Sequence, residues 1–238
     1  MKKLLLIFGC LLSVLVLAQE TDIPYDFPVK PGTEQWAKLS SSDEMNEVCI
    51  IPDQILRKMS TKALFITCLN YPRLIEIFLA DNLQAGFDFY VDHFSGLKEL
   101  VKRSDLKKVL LQAYINLDIP SRKMIDYDLK LSYIHPFIIE LLISQEVIIN
   151  QYNKNEKFEL LTEAIKKLEQ RQMLGQSFFS QLTSALILSR ILSSEKIYLS
   201  ADDQFENTKY KIFNSTAFPP DSVVINKLLI ESKKIKGF

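Results

Sequence analysis

Apolar residues recur at intervals of three and four along most of the chain after residue 33. This spacing places them on one side of an α-helix, where they can face a core. The same pattern returns in many short segments that are separated by polar turns. Around the segment 106–116, the apolar side consists of Val109, Leu110, Ala113, Tyr114 and Leu117. The pattern predicts an all-α protein.

Polar residues that can cap a helix stand in front of several of these segments. Their side-chain oxygens can accept hydrogen bonds from the first free N–H groups of the helix that follows. Each cap therefore indicates a helix start by a signal that does not depend on the apolar spacing. The predicted caps are Thr33, Ser42 or Asp43, Ser60, and Asp221 or Ser222.

The predicted helices of the first half are too short to bury their apolar sides alone, so each must pack on its neighbours. Short antiparallel helices stacked in this way are typical of a helical-repeat-like α-α superhelix, although no clean repeat period occurs. In the second half, the segment Phe137–Ile149 is apolar nearly all round and is predicted to be the buried central helix. Pro136 before it is expected to end one helix and begin another.

The remainder of the chain is predicted to be one arm and one domain. Residues 19–32 contain three prolines, which favour an extended arm over a helix. Residues 33–238 are expected to form a single helical domain. A sub-domain break near 118–126 is the alternative, because that stretch holds a proline and several charged residues. The prolines of the arm are Pro24, Pro28 and Pro31.

Residues 1–18 have the layout of a secretory signal peptide. Two lysines are followed by the almost unbroken apolar run Leu4–Leu17, which is too short to span a bilayer comfortably. We therefore expect cleavage near Ala18, an exported protein (periplasmic, cell-surface or secreted), and no transmembrane segment in the mature chain. The alternative is a lipoprotein anchored through Cys10, for which a bulky residue two positions earlier is a poorer match.

Composition narrows the class of function. The chain has 29 acidic and 29 basic residues without a basic stripe, so nucleic acid is not an expected partner. Only six glycines occur, which argues against phosphate-binding loops and against turn-rich β-sandwiches. Two widely spaced histidines and two cysteines after the leader do not form a metal-ligand cluster. No metal and no cofactor are expected.

Cys49 and Cys68 are the two cysteines that remain after the leader. They lie on successive predicted helices, and in an oxidising exterior compartment they can form a disulfide. The alternative is that both are small buried apolar residues that never meet. The sequence leaves both alternatives open.

The first half of the chain contains three notable runs of sequence in this order: Pro28–Trp36, Met59–Thr61 and Cys68–Pro72. Together they resemble the opening of a group of exported all-α proteins of Bacteroidetes-type bacteria, over roughly residues 24–105. The resemblance implies a bacterial cell-envelope or secreted location and a shared helical fold. It implies no activity, no cofactor and no catalytic residue.

Two short motifs raise the question of glycosylation. Asn214 begins a sequon, which matters only in a eukaryotic secretory pathway. Ser222 lies in a tripeptide that resembles the O-glycosylation motif of Bacteroidetes envelope proteins. Asp221 and Ser222 also suit a helix cap, and the cap is the favoured interpretation.

His93 lies within an aromatic and acidic stretch that is a candidate ligand site. One interpretation makes Asp88, Phe89 and Tyr90 part of a ligand groove, with His93 as its polar group. The favoured alternative is that the aromatic residues are core at helical spacing and His93 is a hydrogen-bonded flanking residue. The other histidine, His135, is expected in a loop or at a helix start, and nothing in the sequence supports acid–base chemistry by it.

No sequence motif names a reaction. The chain has no nucleophile elbow, no zinc-protease motif and no nucleotide-binding loop. The leading hypothesis is an exported helical scaffold that binds an unknown protein or cell-envelope component without catalysis. The competing hypothesis is an α-helical cell-wall or polysaccharide hydrolase or lyase. Its paired carboxylates would need a pocket that separates their pKa values.

Overall fold

The computed structural model describes residues 20–119, 127–197 and 204–238. The protein is about 66% helical, and these residues form 14 helices and no strand. The prediction of an all-α fold is therefore confirmed. Residues 1–18 and the cleavage site lie outside the described residues, so the leader and the alternative lipid anchor at Cys10 stay predictions.

Within the described part of the first half, seven α-helices and one 3-10 helix follow one another closely. They are α1 Glu34–Ala37, α2 Ser42–Val48, α3 Asp53–Leu56, α4 Thr61–Leu69, the 3-10 helix Leu74–Leu79, α5 Leu83–His93, α6 Ser95–Leu100 and α7 Leu106–Ile115. Longer helices dominate the second half. They are α8 Tyr127–Ile143, α9 Glu146–Ile149, α10 Lys154–Met173, α11 Phe178–Ser194, α12 Gln204–Thr216 and α13 Ser222–Lys234.

Most of the predicted caps do begin helices. The side chains of Thr33, Ser60 and Asp221 each accept a hydrogen bond from a backbone N–H in the first turn of α1, α4 and α13. The prediction for α2 was wrong by one residue, because Ser41 is the cap. Ser41 and Glu44 form a reciprocal capping box that satisfies two free N–H groups, which neither of the predicted residues achieves.

The predicted division at Pro136 is wrong, because this proline lies inside the continuous helix α8. A proline within a helix removes one N–H donor, and here the helix continues past it. The predicted central helix Phe137–Ile149 is instead interrupted at Gln145, whose backbone is extended. The residues from 137 to 145 are nevertheless all buried.

Helix α11 occupies the centre of the second half, where it packs against α8, α9, α10, α12 and α13. A superhelix of repeats has contacts only between neighbouring units. The repeat-like arrangement is therefore not confirmed, since α11 contacts five helices and α12 also packs against α5. Buried apolar residues from both sides of the stretch 118–126 belong to one core cluster.

The arm contains no helix over residues 20–32 and is attached to the helical body; it bends at Pro28 and Val29 and turns at Pro31 and Gly32. Thr21 forms an isolated parallel bridge with Met59, through hydrogen bonds with Lys58 O (2.7 Å) and Ser60 N (2.9 Å). Further along, Phe27 is 1% exposed and its ring packs against that of Tyr71. The arm is thus part of the folded core.

Cys49 and Cys68 are both free thiols in the structure. Cys49 caps the end of α2 and Cys68 belongs to the buried side of α4, so each thiol takes part in apolar packing. Within the described ranges, no helix combines the length and apolar character that crossing a membrane requires.

Candidate functional site

The arm forms one wall of a cavity of about 530 Å³, which is called the arm cleft below. The opposite walls come from the turn after α4 and from the middle of α8. This volume lies within the range of small-molecule sites, about 300 to 1,000 Å³. The lining of the arm cleft includes Pro24, Tyr25, Asp26, Lys30, Asn70, Pro72 and His135.

Two contacts fix the arm in the position that creates the cleft. The backbone N–H of Tyr25 donates to Thr67 Oγ1 over 2.8 Å, and Thr67 in turn donates to the backbone of α4 at Ala63. The ring of Phe27 meets the ring of Tyr25 edge-on, at 5.1 Å between centroids. Because Phe27 is buried, the ring of Tyr25 is held over the cleft by the core itself.

The imidazole of His135 is part of the lining of the arm cleft. Its Nε2 is inaccessible to solvent, and no hydrogen bond of good geometry joins it to any described residue. Burial lowers the pKa of His135, and the Leu69 backbone carbonyl opposes this by accepting a hydrogen bond from the ring. The imidazole is therefore neutral at pH 7.

The rim of the arm cleft is polar but carries no net charge. Asp26 and Lys30 form an ion pair with each other and so cancel. The exposed side-chain amide of Asn70 has no hydrogen bond with any described residue. The cleft therefore combines tyrosine and proline surfaces with neutral donors and acceptors.

The residues that the sequence singled out on α5 divide between two sides of the helix. Tyr90 is buried, and its hydroxyl donates to the Arg73 carbonyl over 2.7 Å. Asp88, Phe89 and His93 are exposed on the outer side. His93 stacks on Phe89 with 4.1 Å between ring centroids, and its Nδ1 lies 2.8 Å from the Phe89 carbonyl.

A second polar cluster is enclosed in the core between α8, α10 and α11. Glu140 is 0% exposed, and its two carboxylate oxygens lie 2.7 and 2.8 Å from Arg171 Nη1. Thr183 and Ser184 donate to the same carboxylate. These contacts satisfy the buried charges from several sides, which is the requirement for an ion pair in a core.

Tyr114 and Lys167 adjoin this cluster. The ammonium group of Lys167 lies 5.1 Å from the centre of the Tyr114 ring and donates to the Leu117 carbonyl. Burial, together with the charge of Glu140, raises the pKa of Tyr114 well above its usual value. Its hydroxyl is buried without a hydrogen bond of good geometry. The cluster is a structural feature of the interior.

Three carboxylates of the described residues have a shifted pKa, and each is shifted downwards. Hydrogen bonds from backbone N–H groups or from lysine lower the pKa of Glu44, Glu156 and Asp221. A general acid needs the opposite shift. Glu140, the fully buried acid, faces an arginine and two hydroxyls.

Among the described residues, no group of three or more His, Cys, Asp or Glu side chains could hold a metal ion. Comparisons of the chain with protein-family models, with curated proteins and with solved structures find no match. The description of the arm cleft as a candidate site therefore depends on its geometry alone.

The sequence did not point to the arm cleft as a site, although it contained a signal. Two of the runs that carry the family resemblance, Pro28–Trp36 and Cys68–Pro72, both contribute residues to its walls. The sequence predicts His135 in a loop or at a helix start, but it lies inside α8 and contacts Leu69 of α4, which no local pattern encodes. Convergence of separate motifs on one cavity is visible only in three dimensions.

Proposed function

We propose that this protein is a non-catalytic binding protein of the cell envelope, and that the arm cleft holds a neutral oligosaccharide segment of its partner. The observation that carries this proposal is the cleft itself, with the ring of Tyr25 and the neutral polar side chains of Asn70 and His135 in its lining. An exported location, as the leader and the resemblance predict, places such a protein among cell-envelope polysaccharides.

The chemistry of the walls favours a sugar over a charged ligand. A sugar ring offers apolar C–H faces that pack on an aromatic ring, and hydroxyls that both donate and accept hydrogen bonds. Tyr25 and Pro72 provide the apolar surface, while Asn70 and His135 provide neutral polar groups. Because Asp26 and Lys30 neutralise each other, the rim gives no electrostatic preference to an ion.

A screen on an array of neutral oligosaccharides tests the proposal, followed by calorimetric titration of the strongest binder. We expect His135→Ala and Asn70→Ala to weaken that binding at least about ten-fold each, which corresponds to about 1.4 kcal/mol. The matched controls are His93→Ala on the exposed side of α5 and Asn155→Ala on the exposed side of α10. They are expected to leave the affinity unchanged.

Two outcomes would overturn the proposal. One is an array without any bound oligosaccharide, while a proline-rich peptide binds to the cleft instead. The other is a sugar whose affinity falls in the His93 variant and not in the His135 and Asn70 variants.

A further inference from the structure

A second, strongly polar pocket lies about Arg190, away from the arm cleft. Its volume is about 200 Å³, and it is formed where the end of α11 meets α9. Glu146, Asn150, Arg190, Ser193 and Ser194 supply its polar lining. No residue lines both this pocket and the arm cleft.

Arg190 is 3% exposed, yet no carboxylate of the described residues forms an ion pair with it. The other two buried arginines, Arg73 and Arg171, are paired with Glu76 and Glu140. A buried charge normally has such a partner. Arg190 therefore keeps a positive charge that the protein does not neutralise by direct contact.

Three neutral acceptors hold the guanidinium of Arg190 in place. Nε donates to the Asn214 carbonyl (3.0 Å), Nη1 to the Ser144 carbonyl (3.2 Å) and Nη2 to Gln84 Oε1 (2.6 Å). Both carbonyls lie at the C-terminal ends of helices, α12 and α8, where the helix dipole favours a cation. A guanidinium has five N–H donors, so one donor on each terminal nitrogen remains unused by the described residues.

Glu146 contributes the opposite charge on the same pocket. Its side chain is exposed, and its carboxylate has neither a hydrogen bond nor an ion pair with any described residue. It is close enough to Arg190 to influence it: burial lowers the pKa of Arg190 to about 10, and the charges of Glu146 and Asp88 oppose this shift. Arg190 is therefore charged at neutral pH.

The charges of Lys157 and Glu195 beside the pocket cancel, and Asp88, which also acts on Arg190, is not part of the pocket lining. Lys157 donates to Ser194 Oγ and forms an ion pair with Glu195. The side chains of Asn150 and Ser193 have no hydrogen bond with any described residue. The pocket thus presents one positive group, one negative group, and neutral polar groups in a volume suited to a very small molecule.

We propose that this pocket binds a small zwitterion, a free α-amino acid, with its carboxylate on Arg190 and its ammonium group towards Glu146. Charge complementarity decides the ligand class. A simple anion would gain from Arg190 but would be repelled by Glu146, and a simple cation would meet the reverse arrangement. A molecule that carries both charges a few bonds apart satisfies both residues.

Calorimetric titration of the purified protein with glycine, acetate and methylamine tests the proposal. Glycine is expected to bind at least about ten-fold more tightly than either of its two halves. Glu146→Gln is expected to weaken glycine about ten-fold and to strengthen acetate, because the repelling charge has gone. Arg190→Lys is expected to weaken both ligands, and Glu159→Gln, on the exposed side of α10, to change neither.

Glu146→Gln alters an exposed side chain, so the fold is expected to persist, which a circular dichroism spectrum checks. The proposal is overturned if millimolar glycine does not bind. It is equally overturned if acetate binds as well as glycine, or if Glu146→Gln leaves the glycine affinity unchanged. Failure here leaves the arm cleft unaffected, because the two sites share no residue.

Discussion

Glu140 on α8 and Arg171 on α10 form a buried ion pair that joins these two helices beside α11. Nη1 of Arg171 lies 2.7 and 2.8 Å from the two oxygens of Glu140. Removal of one partner from a buried pair leaves the other charge without compensation, at about 3 to 5 kcal/mol. Glu140→Gln is therefore expected to lower the free energy of unfolding by about 3 kcal/mol, as measured by urea titration.

The matched control for this substitution is Glu159→Gln, because Glu159 is an exposed glutamate on α10. Its expected effect is within about 0.5 kcal/mol. Equal stabilities of the two variants would show that the ion pair does not stabilise the core.

The arm should be anchored chiefly by Phe27. Phe27 is 1% exposed, and its ring packs against the rings of Tyr71 and Phe94. Truncation of a buried phenylalanine typically destabilises a protein by about 3 to 5 kcal/mol. Phe27→Ala is expected to lower stability by that amount and to increase hydrogen exchange of the arm. Ile23→Ala, on the same arm but 76% exposed, is expected to change stability by less than about 0.5 kcal/mol. A similar loss for both variants would contradict the anchoring role.

Stability at low pH should depend on Glu156, which completes the capping box of α10. Hydrogen bonds from the Asn153 backbone and from Lys107 lower the pKa of Glu156 below the reference value of 4.5. A lowered folded-state pKa gives stability that is complete above the unfolded value and is lost as the pH falls through the folded value. Urea titrations from pH 7 downwards should show a shallower loss for Glu156→Gln than for the unaltered protein.

This substitution keeps the hydrogen-bonding shape of the capping box, since glutamine also occupies that position in such boxes. At pH 7 its effect should be no more than about 1 kcal/mol. Parallel curves for the two proteins across the acidic range would contradict the assigned role of the Glu156 charge.

The two thiols should be unreactive in the folded protein. Burial raises the pKa of Cys49 to about 11 and that of Cys68 further still. Because the thiolate is the reactive form, alkylation with iodoacetamide at pH 8 should label both only after unfolding. Peptide mapping without a reducing agent should give no cross-linked pair. Rapid labelling of the native protein, or a peptide joining Cys49 to Cys68, would contradict the structure.

Local signals predicted the elements of this fold well and their assembly less well. Apolar spacing identified the helices, and cap residues such as Thr33 and Ser60 identified where two of them begin. These features depend on neighbours along the chain. The break at Gln145 and the continuity of α8 through Pro136 depend on the helices packed around them, so the sequence alone predicted both wrongly.

The candidate sites were harder to predict for the same reason. Aromatic and acidic residues surround His93 in the sequence, but in the structure Tyr90 is buried in the core and Phe89 is exposed. His135 lines a cleft whose other walls are formed by residues more than 60 positions earlier in the chain. Arg190 likewise depends on acceptors from α5, α8 and α12. Long-range contacts of this kind leave no local pattern.

The central claim, that the arm cleft is the binding site, is tested most directly by NMR titration of the ¹⁵N-labelled protein with the bound oligosaccharide. The arm-cleft hypothesis predicts that the largest chemical-shift changes occur at Tyr25, Asn70 and His135. Changes concentrated at Phe89 and His93, with the arm cleft unperturbed, would contradict it.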